Sequence, residues 1–325
     1  MIEYQFNNRI DLSDLQQSTC KIKVEIAKYI VGQPEMVELL LIALLADGHV
    51  LLEGVPGVAK TLCAKLLAKT IQAEFKRIQF TPDLMPSDII GTSIFNTKNS
   101  EFEFRKGPLF SNIILADEIN RSPAKTQSAL FEAMEERQIT TDGNTYVLDT
   151  PFLVLATQNP IEQEGTYRLP EAQLDRFLFK IEVNYPSMEE ETEILKNFHE
   201  RKNIIDLNTI EGVLKKETIK IIRQTVCEIH VDTNLLKYIS RIVNGTRNNT
   251  SLFLGASPRA SIAILNASKS AAAIRGRDFI TPDDIKFVAP HVLKHRIILT
   301  PEKEMEGVTA NEVIKQLLED VEIPR

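Results

Sequence analysis

Short apolar runs alternate with patterns of helical period through the first half of the chain. Runs of this length are typical of buried strands, and helices between consecutive strands favour a parallel sheet. The pattern therefore predicts an α/β fold with a central parallel sheet. The expected core strands are residues 50–53, 76–80, 112–118, a run that ends near residue 159, and a run within residues 172–183.

Two further segments have the pattern of β-hairpins. In the first, two short alternating runs within residues 92–105 flank a polar turn at residues 96–100. In the second, Asp142-Gly143 is a two-residue turn between alternating runs within residues 137–150. We expect both hairpins to be insertions between elements of the main sheet.

The composition of the chain changes at Tyr185-Pro186, and helical patterns prevail after it. Ser187 followed by glutamates is a helix start, because the hydroxyl can cap the helix and carboxylates favour its N-terminal dipole. The chain has 325 residues, which is ample for two domains. We expect an α/β domain over residues 1–185 and an all-α domain over residues 186–325.

Composition narrows the function classes. The hydrophobic fraction is 43% and no apolar run approaches the ~18 residues that a membrane span needs. A net charge of −7 argues against a large nucleic-acid-binding face. The cysteines Cys20, Cys63 and Cys227 lack metal-ligand spacing, so we expect reduced thiols in a cytoplasmic protein. His291 and His295 lie four residues apart, but a third zinc ligand is not evident.

The segment "GVPGVAKT", residues 54–61, follows the first core strand and opens a helix. It matches the phosphate-binding pattern G-x-x-x-x-G-K-[ST] except that Ala59 stands where the pattern has glycine. Backbone N–H groups of such a loop hold phosphate, Lys60 would reach the β- and γ-phosphates, and the Thr61 hydroxyl would bind Mg²⁺. A strand-to-helix turn without a ligand is the alternative.

Polar residues end two other predicted core strands. Asp117 and Glu118 end "NIILADE", where one carboxylate could support Mg²⁺ and the next could polarise an attacking water. Asn159 ends "LVLATQN" and could reach the γ-phosphate or orient that water. Asparagine before proline is also a common turn residue, so this position by itself does not distinguish the two interpretations.

Two arginines could stabilise the charge that develops in phosphoryl transfer. They are Arg176 in "LPEAQLDRF" and Arg259 in "GASPRA". The alternative is an ordinary surface arginine in an ion pair, since Asp175 and Glu171 lie close to Arg176 in the sequence.

The segments "GVPGVAKT", "ILADEINRSPAKTQSALFEAMEERQI", "ATQNP", "LPEAQLDRF" and "GASPRA", in this order, resemble the MoxR family of AAA+ ATPases. The resemblance covers residues 32–290. It implies an AAA+ P-loop core with a five-stranded parallel sheet, a C-terminal helical lid, and a ring, typically a hexamer. The two hairpins would then face the pore or the upper surface of the ring.

The resemblance also implies roles for individual residues. Asp117 and Glu118 would be the Mg²⁺ and catalytic acids, Asn159 the first sensor, and Arg259 a second sensor from the lid. Arg176 would act as an arginine finger on the neighbouring subunit's ATP, with Arg121 as a second candidate for a contact across that boundary. Lys60 and Thr61 keep the roles given above. The nucleotide would contact Val31, Gly32, Gly54, Val55, Pro56, Gly57, Val58, Ala59, Lys60, Thr61, Leu62 and Arg121.

Members of the MoxR family, which this chain resembles, commonly have alanine at the position of Ala59. Alanine is tolerated where the backbone is right-handed, so we expect α-helical dihedral angles at Ala59.

The resemblance implies ATP and Mg²⁺ as cofactors, and ATP hydrolysis that drives remodelling, maturation or metal-cofactor insertion of client proteins. Some clients of the family carry a von Willebrand factor A domain. The alternatives are a magnesium-chelatase-like or DNA-translocating motor subunit, and a non-hydrolysing ATP-gated scaffold. The negative charge argues against the DNA motor, and the intact set of polar site residues argues against the scaffold.

Overall fold

A computed structural model describes residues 10–98, 100–159, 167, 169–202 and 206–323. The chain forms two compact units. Residues 21–220 make one, and the described parts of 1–20 and 221–325 make the other. The last core strand ends at Val183 and the next helix starts at Met188. The expected domain boundary near residue 185 stays a prediction.

The unit of residues 21–220 contains the five-stranded sheet, two β-hairpins and the helices that pack around them. The division between the two units falls within the first and the last helix of the following list. The elements are α1 (Ser13–Ala27), α2 (Pro34–Leu45), β1 (His49–Gly54), α3 (Lys60–Thr70), β2 (Phe75–Gln79), α4 (Pro86–Ile90), β3 (Gly91–Asn96), β4 (Glu101–Lys106), β5 (Ile113–Asp117), α5 (Ala124–Glu136), β6 (Gln138–Thr141), β7 (Asn144–Val147), β8 (Leu153–Gln158), α6 (Glu171–Leu174), β9 (Phe177–Val183), α7 (Met188–Glu200) and α8 (Lys216–Cys227).

The predicted five-stranded parallel sheet is confirmed, with the strand order β2-β5-β8-β1-β9. All five strands point the same way, so their carboxyl ends share one edge. A parallel sheet covered on both faces needs continuous apolar strands. The inner strands meet this requirement, because Val50, Leu51 and Leu52 of β1 and Leu153–Ala156 of β8 are all buried.

Both predicted hairpins are present. Strands β3 and β4 pair antiparallel, as do β6 and β7, where Asp142 and Gly143 have the positive φ angles of 50° and 76° that a tight hairpin turn requires. On the first hairpin, Phe95 and Phe102 pack edge to face with ring centroids 5.2 Å apart, and both are exposed. The tip of this hairpin is therefore apolar.

Helices make up most of the second unit. Buried aliphatic and alanine side chains join α9, α10, α11 and α13 around a core of its own, with Tyr238 and Ile264 among its fully buried members. The small alanine side chains of α10 allow close helix packing. The elements are α9 (Thr233–Arg247), β10 (Leu252–Leu254), α10 (Pro258–Ile274), α11 (Pro282–Leu293), β11 (Ile298–Leu299), α12 (Pro301–Met305) and α13 (Ala310–Asp320). No helix in the described ranges is long and apolar enough to cross a membrane.

A fully buried carboxylate, Asp284, fixes the start of α11. Its oxygens accept hydrogen bonds from Arg275 at 2.8 Å, from Arg277 at 2.6 and 2.8 Å, and from the N–H and hydroxyl of Thr281 at 2.8 and 2.9 Å. Burial raises the pKa of Asp284, but the hydrogen bonds from Arg277 and Thr281 outweigh it and the pKa is lowered. The carboxylate is thus buried as an anion with its partners in place.

Replacing Asp284 by asparagine should destabilise the helical unit by about 3 kcal/mol, because it removes the buried anion that pairs with Arg275 and Arg277. Urea unfolding monitored by circular dichroism measures this, with exposed Asp283→Asn as the matched control. The unfolded carboxyl binds a proton at a higher pH than the folded one. Wild-type stability from this group should therefore fall as the pH drops below 3.8, and the gap between wild type and variant should narrow there. A stability difference between wild type and Asp284→Asn that does not change with pH would contradict ion pairing of Asp284 with the arginines.

Cysteine reactivity should separate Cys63 from the other two thiols. Cys63 is fully buried in α3, and burial raises its pKa to about 12, whereas Cys20 and Cys227 are exposed. Ellman's reagent at pH 8 should titrate two thiols in the native protein and the third only on unfolding. In the double variant Cys20→Ser/Cys227→Ser, thiol release should coincide with unfolding. Fast reaction of this variant in the native state would show that α3 is not packed as described.

Candidate functional site

The loop of residues 54–59 connects β1 to α3 at the carboxyl edge of the sheet. A Cβ at Gly54 would collide with the carbonyl oxygen of Val183, so only glycine fits against strand β9 there. Gly57 has φ of +90°, and a Cβ there would meet no atom within 4 Å. The loop thus turns tightly against the sheet at one glycine and faces open space at the other, next to the N-terminus of an 11-residue helix. This is the geometry of a phosphate cradle.

The prediction of right-handed dihedral angles at Ala59 is wrong. Ala59 has φ of 60° and ψ of 18°, in the left-handed region, immediately before α3. The position therefore has the conformation that explains glycine in the general pattern. This conformation destabilises an L-residue by about 1–2 kcal/mol. Alanine is the smallest such residue, because only one methyl group has to be accommodated. The loop keeps its shape in spite of the substitution, and the cost is local strain.

Lys60 is the first residue of α3, and its side chain folds back over the loop. Its Nζ donates a hydrogen bond of 2.6 Å to the carbonyl oxygen of Gly54. Burial lowers the pKa of Lys60, while the charges of Asp117, Glu118 and Glu53 oppose this shift. A cation therefore lies among three acids at the carboxyl edge of the sheet. The next residue, Thr61, lies in the first turn of the same helix.

Asp117 is the last residue of β5 and is held from two sides. Its Oδ2 accepts hydrogen bonds of 2.9 and 2.7 Å from the guanidinium of Arg77, on the adjacent strand β2. Its Oδ1 accepts a hydrogen bond of 2.6 Å from the hydroxyl of Thr157, on the opposite neighbour β8. The acid is thus oriented before any ligand is bound.

Glu118 leaves the strand in the left-handed conformation, with φ of 56° and ψ of 50°. Its backbone N–H donates to the Thr157 hydroxyl at 2.9 Å. Its Oε2 accepts a 2.7 Å hydrogen bond from the Gln79 side chain and lies 3.2 Å from Nε of Arg121. Consecutive side chains of a regular strand lie on opposite faces, which would place the Glu118 carboxylate opposite that of Asp117. The left-handed turn, rather than the strand period, sets its direction.

Three residues of this network were not predicted: Arg77, Gln79 and Thr157. Each ends or nearly ends a strand beside β5, so they are identified once the strand order is known. Gln79 lies opposite Asp117 in the β2–β5 register. The sequence carried the signal only as polar residues at the ends of predicted strands.

The other predicted positions lie on several different elements. Asn159 follows the last residue of β8, between the loop strand β1 and the acid strand β5. Gly32 has φ of +76°, and a Cβ there would lie 2.7 Å from the carboxyl carbon of Glu190. Arg259 is the second residue of α10 and belongs to the helical unit. Proximity of Val31 and Gly32 to adenine, and of Arg259 to a phosphate, stay predictions.

Arg176 lies just before β9 and is ion-paired within its own chain. Its Nη1 donates to the carbonyl oxygen of Phe131 at 2.9 Å and is 3.1 Å from Oε2 of Glu135. Its Nε, like Oε1 of nearby Gln173, is buried without a hydrogen-bond partner within the described residues. These groups line an open cavity of about 310 Å³ with an acidic wall that includes Glu132. The Arg176 side chain is 31% exposed at this cavity, whereas its unpaired Nε is buried.

The two histidines show no metal site. His291 is in α11, whereas His295 lies beyond Leu293, the last residue of that helix. In the ranges that the structure describes, no group of three or more His, Cys, Asp and Glu side chains could hold a metal ion.

Comparison with known proteins agrees with this geometry. The sequence model described as "ATPase family associated with various cellular activities (AAA)" matches residues 49–179, and the "AAA lid domain" matches residues 244–317. Chaperone MoxR1 of Mycobacterium tuberculosis is 46% identical over 93% of this chain and 81% of its own. The chain belongs to the MoxR family of AAA+ ATPases.

Two other similarities cover nearly the whole MoxR-family chain. Uncharacterized protein YeaC of Bacillus subtilis is 50% identical over 96% of both chains. A crystal structure of a candidate ATPase from Cytophaga hutchinsonii superposes with a TM-score of 0.89 at 45% identity, covering 96% of this chain and 97% of its own. The predicted fold class, an AAA+ core followed by a helical lid domain, is therefore confirmed.

Replacing Ala59 by glycine should stabilise the α/β unit by about 0.5–1 kcal/mol, because relief of left-handed strain exceeds the entropy that glycine adds to the unfolded chain. Chemical unfolding measures this. Ala129→Gly in the interior of α5 is the control and should destabilise by about 1 kcal/mol. If both variants lose the same stability, Ala59 is not strained.

Proposed function

We propose that this MoxR-family protein hydrolyses ATP and uses the energy to remodel client proteins. The observation that carries the proposal is the meeting of Lys60, Asp117 and Glu118 beside a phosphate cradle at one sheet edge. A cationic cradle for phosphate next to a carboxylate pair is the arrangement that phosphoryl transfer to water requires.

The residues present fit a nucleotide with its metal. The loop N–H groups and Lys60 would bind the phosphates, and Thr61 and Asp117 would hold Mg²⁺, whose charge would neutralise the β- and γ-phosphate oxygens. Loop residues Val55, Pro56 and Val58, and Leu62 of α3, would complete the contacts.

Glu118 would accept a hydrogen bond from the attacking water, and Asn159 would orient the same molecule. The water oxygen would bond to the γ-phosphorus as the bond from that phosphorus to the β–γ bridging oxygen breaks. The proton of the water would pass to Glu118, and ADP and inorganic phosphate would leave. For this role the Glu118 carboxylate must exchange its contacts with Gln79 or Arg121 for the water. Both contacts are made by side chains at a partly exposed site, so the exchange is physically accessible.

Assembly into a ring, with a hexamer as the expected form, would supply the remaining charge. Arg176 at the edge of its cavity is our first candidate for a contact with the neighbour's phosphates, since its side chain is partly exposed there. Arg121 is the second candidate, although it pairs with Glu118 of its own chain here. Arg259 of the lid domain would reach the phosphates within the subunit.

Client remodelling is proposed from the family, whose relative in Mycobacterium tuberculosis is named a chaperone. The exposed aromatic pair on the first hairpin, Phe95 and Phe102, gives an apolar contact for a protein client. We propose a cytoplasmic role with clients that include proteins carrying a von Willebrand factor A domain. Maturation or metal-cofactor insertion would be the outcome for the client.

Steady-state ATP hydrolysis against protein concentration tests the proposal. The rate per subunit should rise with concentration as rings assemble, and Glu118→Gln and Arg176→Ala should each lower it by about a thousand-fold. Glu118→Gln should still bind ATP, because it keeps the shape of the site.

Exposed Glu193→Gln and Arg241→Ala are the matched controls and should leave the rate unchanged. Mixing Glu118→Gln with Arg176→Ala should restore activity at interfaces that join an intact acid to an intact arginine. A constant rate per subunit at all concentrations would contradict the shared site, and ATP binding without turnover at any concentration would contradict hydrolysis.

A further inference from the structure

The Thr157 hydroxyl joins the two site acids. It donates a hydrogen bond of 2.6 Å to Oδ1 of Asp117 and accepts a hydrogen bond of 2.9 Å from the backbone N–H of Glu118. The residue is 2% exposed, so these bonds are shielded from water. A threonine hydroxyl has one hydrogen to donate, and here it goes to the first acid while a lone pair serves the second.

The strand register explains why one side chain reaches both acids. Strands β5 and β8 pair up to Ala116 opposite Ala156, so the next residue on each strand is Asp117 and Thr157. Beyond this point the chain turns left-handed at Glu118, and the backbone N–H of Glu118 donates to the Thr157 side chain instead of to a backbone carbonyl of β8. The Thr157 hydroxyl takes the place of the missing ladder acceptor. A buried N–H without an acceptor would be costly, so the hydroxyl helps to hold the strained turn.

The contacts made by Thr157 differ in kind from the others at the acids. Arg77 is about half exposed, with 49% of its side-chain surface accessible, so its pair with Asp117 is open to solvent and salt. Gln79 and Arg121 contact Glu118 through its side-chain Oε2. Thr157 contacts both the Asp117 carboxylate and the backbone N–H of Glu118, at the turn from which the Glu118 side chain departs.

We propose that Thr157 is a positioning residue for the hydrolytic site, which couples the placement of the metal-binding acid to that of the water-activating acid. The proposal rests on the proposed ATP hydrolysis. Thr157 touches neither the phosphates nor the water, and acts through Asp117 and Glu118. Its loss should therefore impair metal-dependent steps and leave metal-free nucleotide binding to the loop intact.

Thr157→Val removes the hydroxyl and keeps the volume. The concentration of Mg²⁺ at half-maximal ATPase activity should rise, and kcat should fall about ten- to a hundred-fold, as expected for hydrogen bonds to charged or strained groups. The KM for ATP at saturating Mg²⁺ should change less than three-fold. Binding of a fluorescent ADP analogue in EDTA should match wild type, whereas the Mg²⁺-induced change in its affinity should be reduced. Thr157→Ser keeps the hydroxyl and should stay within about three-fold of wild type.

Thr70→Val is the control for losing a buried threonine hydroxyl. Thr70 is fully buried in α3, and its hydroxyl donates a hydrogen bond of 2.8 Å to the carbonyl oxygen of Leu67. It should lose stability like Thr157→Val but keep the wild-type Mg²⁺ dependence and kcat.

Equal Mg²⁺ dependence and kcat in Thr157→Val, Thr70→Val and wild type would overturn the positioning role while hydrolysis stands. A Thr157→Ser variant as impaired as Thr157→Val would also overturn it. A wild type that neither binds nor hydrolyses ATP would instead overturn the proposed function, and the role of Thr157 with it.

Discussion

The site depends on the register of the parallel sheet. Strands β1, β5 and β8 end at one edge, and each delivers its polar residues within about one residue of the same level. A slip of one residue in β8 would turn Thr157 to the other face of the sheet and separate it from Asp117. Burial prevents the slip, since the strand interiors are apolar on both faces and Val154, Leu155 and Ala156 have no exposed surface. Packing of the core thus fixes the distances on which the chemistry depends.

Two left-handed residues lie at the site, one directly before α3 and the other directly after β5. Ala59 and Glu118 both have φ near 60° without being glycine. Each conformation directs a functional group: one sets the start of α3 at Lys60, and the other turns a carboxylate away from the strand. Non-glycine residues in this region persist only where the surroundings determine them. Helix α3 does this for Ala59, and the neighbouring strand does it for Glu118.

The apolar runs and turn residues were enough to predict the five strands and both hairpins, because burial and turn chemistry are local in sequence. Strand β2 was placed one residue too far along, at 76–80 instead of Phe75–Gln79. The dihedral angles of Ala59 were predicted wrongly, because the residue type alone does not indicate whether the fold holds alanine in a strained conformation. The partners Arg77, Gln79 and Thr157 were missed for a different reason: each lies about 40 positions from its acid in the chain. Only the strand order brings them together.

The acids of the site are already paired within the chain. Asp117 pairs with Arg77, Glu118 with Arg121, and Glu53 with Lys180 at 2.8 Å. Lys60 is an additional cation whose Nζ donates to a neutral group, the Gly54 carbonyl, so an entering polyphosphate can bind this cation without breaking an ion pair. A divalent cation at Asp117 would instead compete with Arg77, and phosphate oxygens bound to that cation would offset the lost pair. Binding of phosphate and of a divalent cation should therefore be coupled through the ion pairs of the acids.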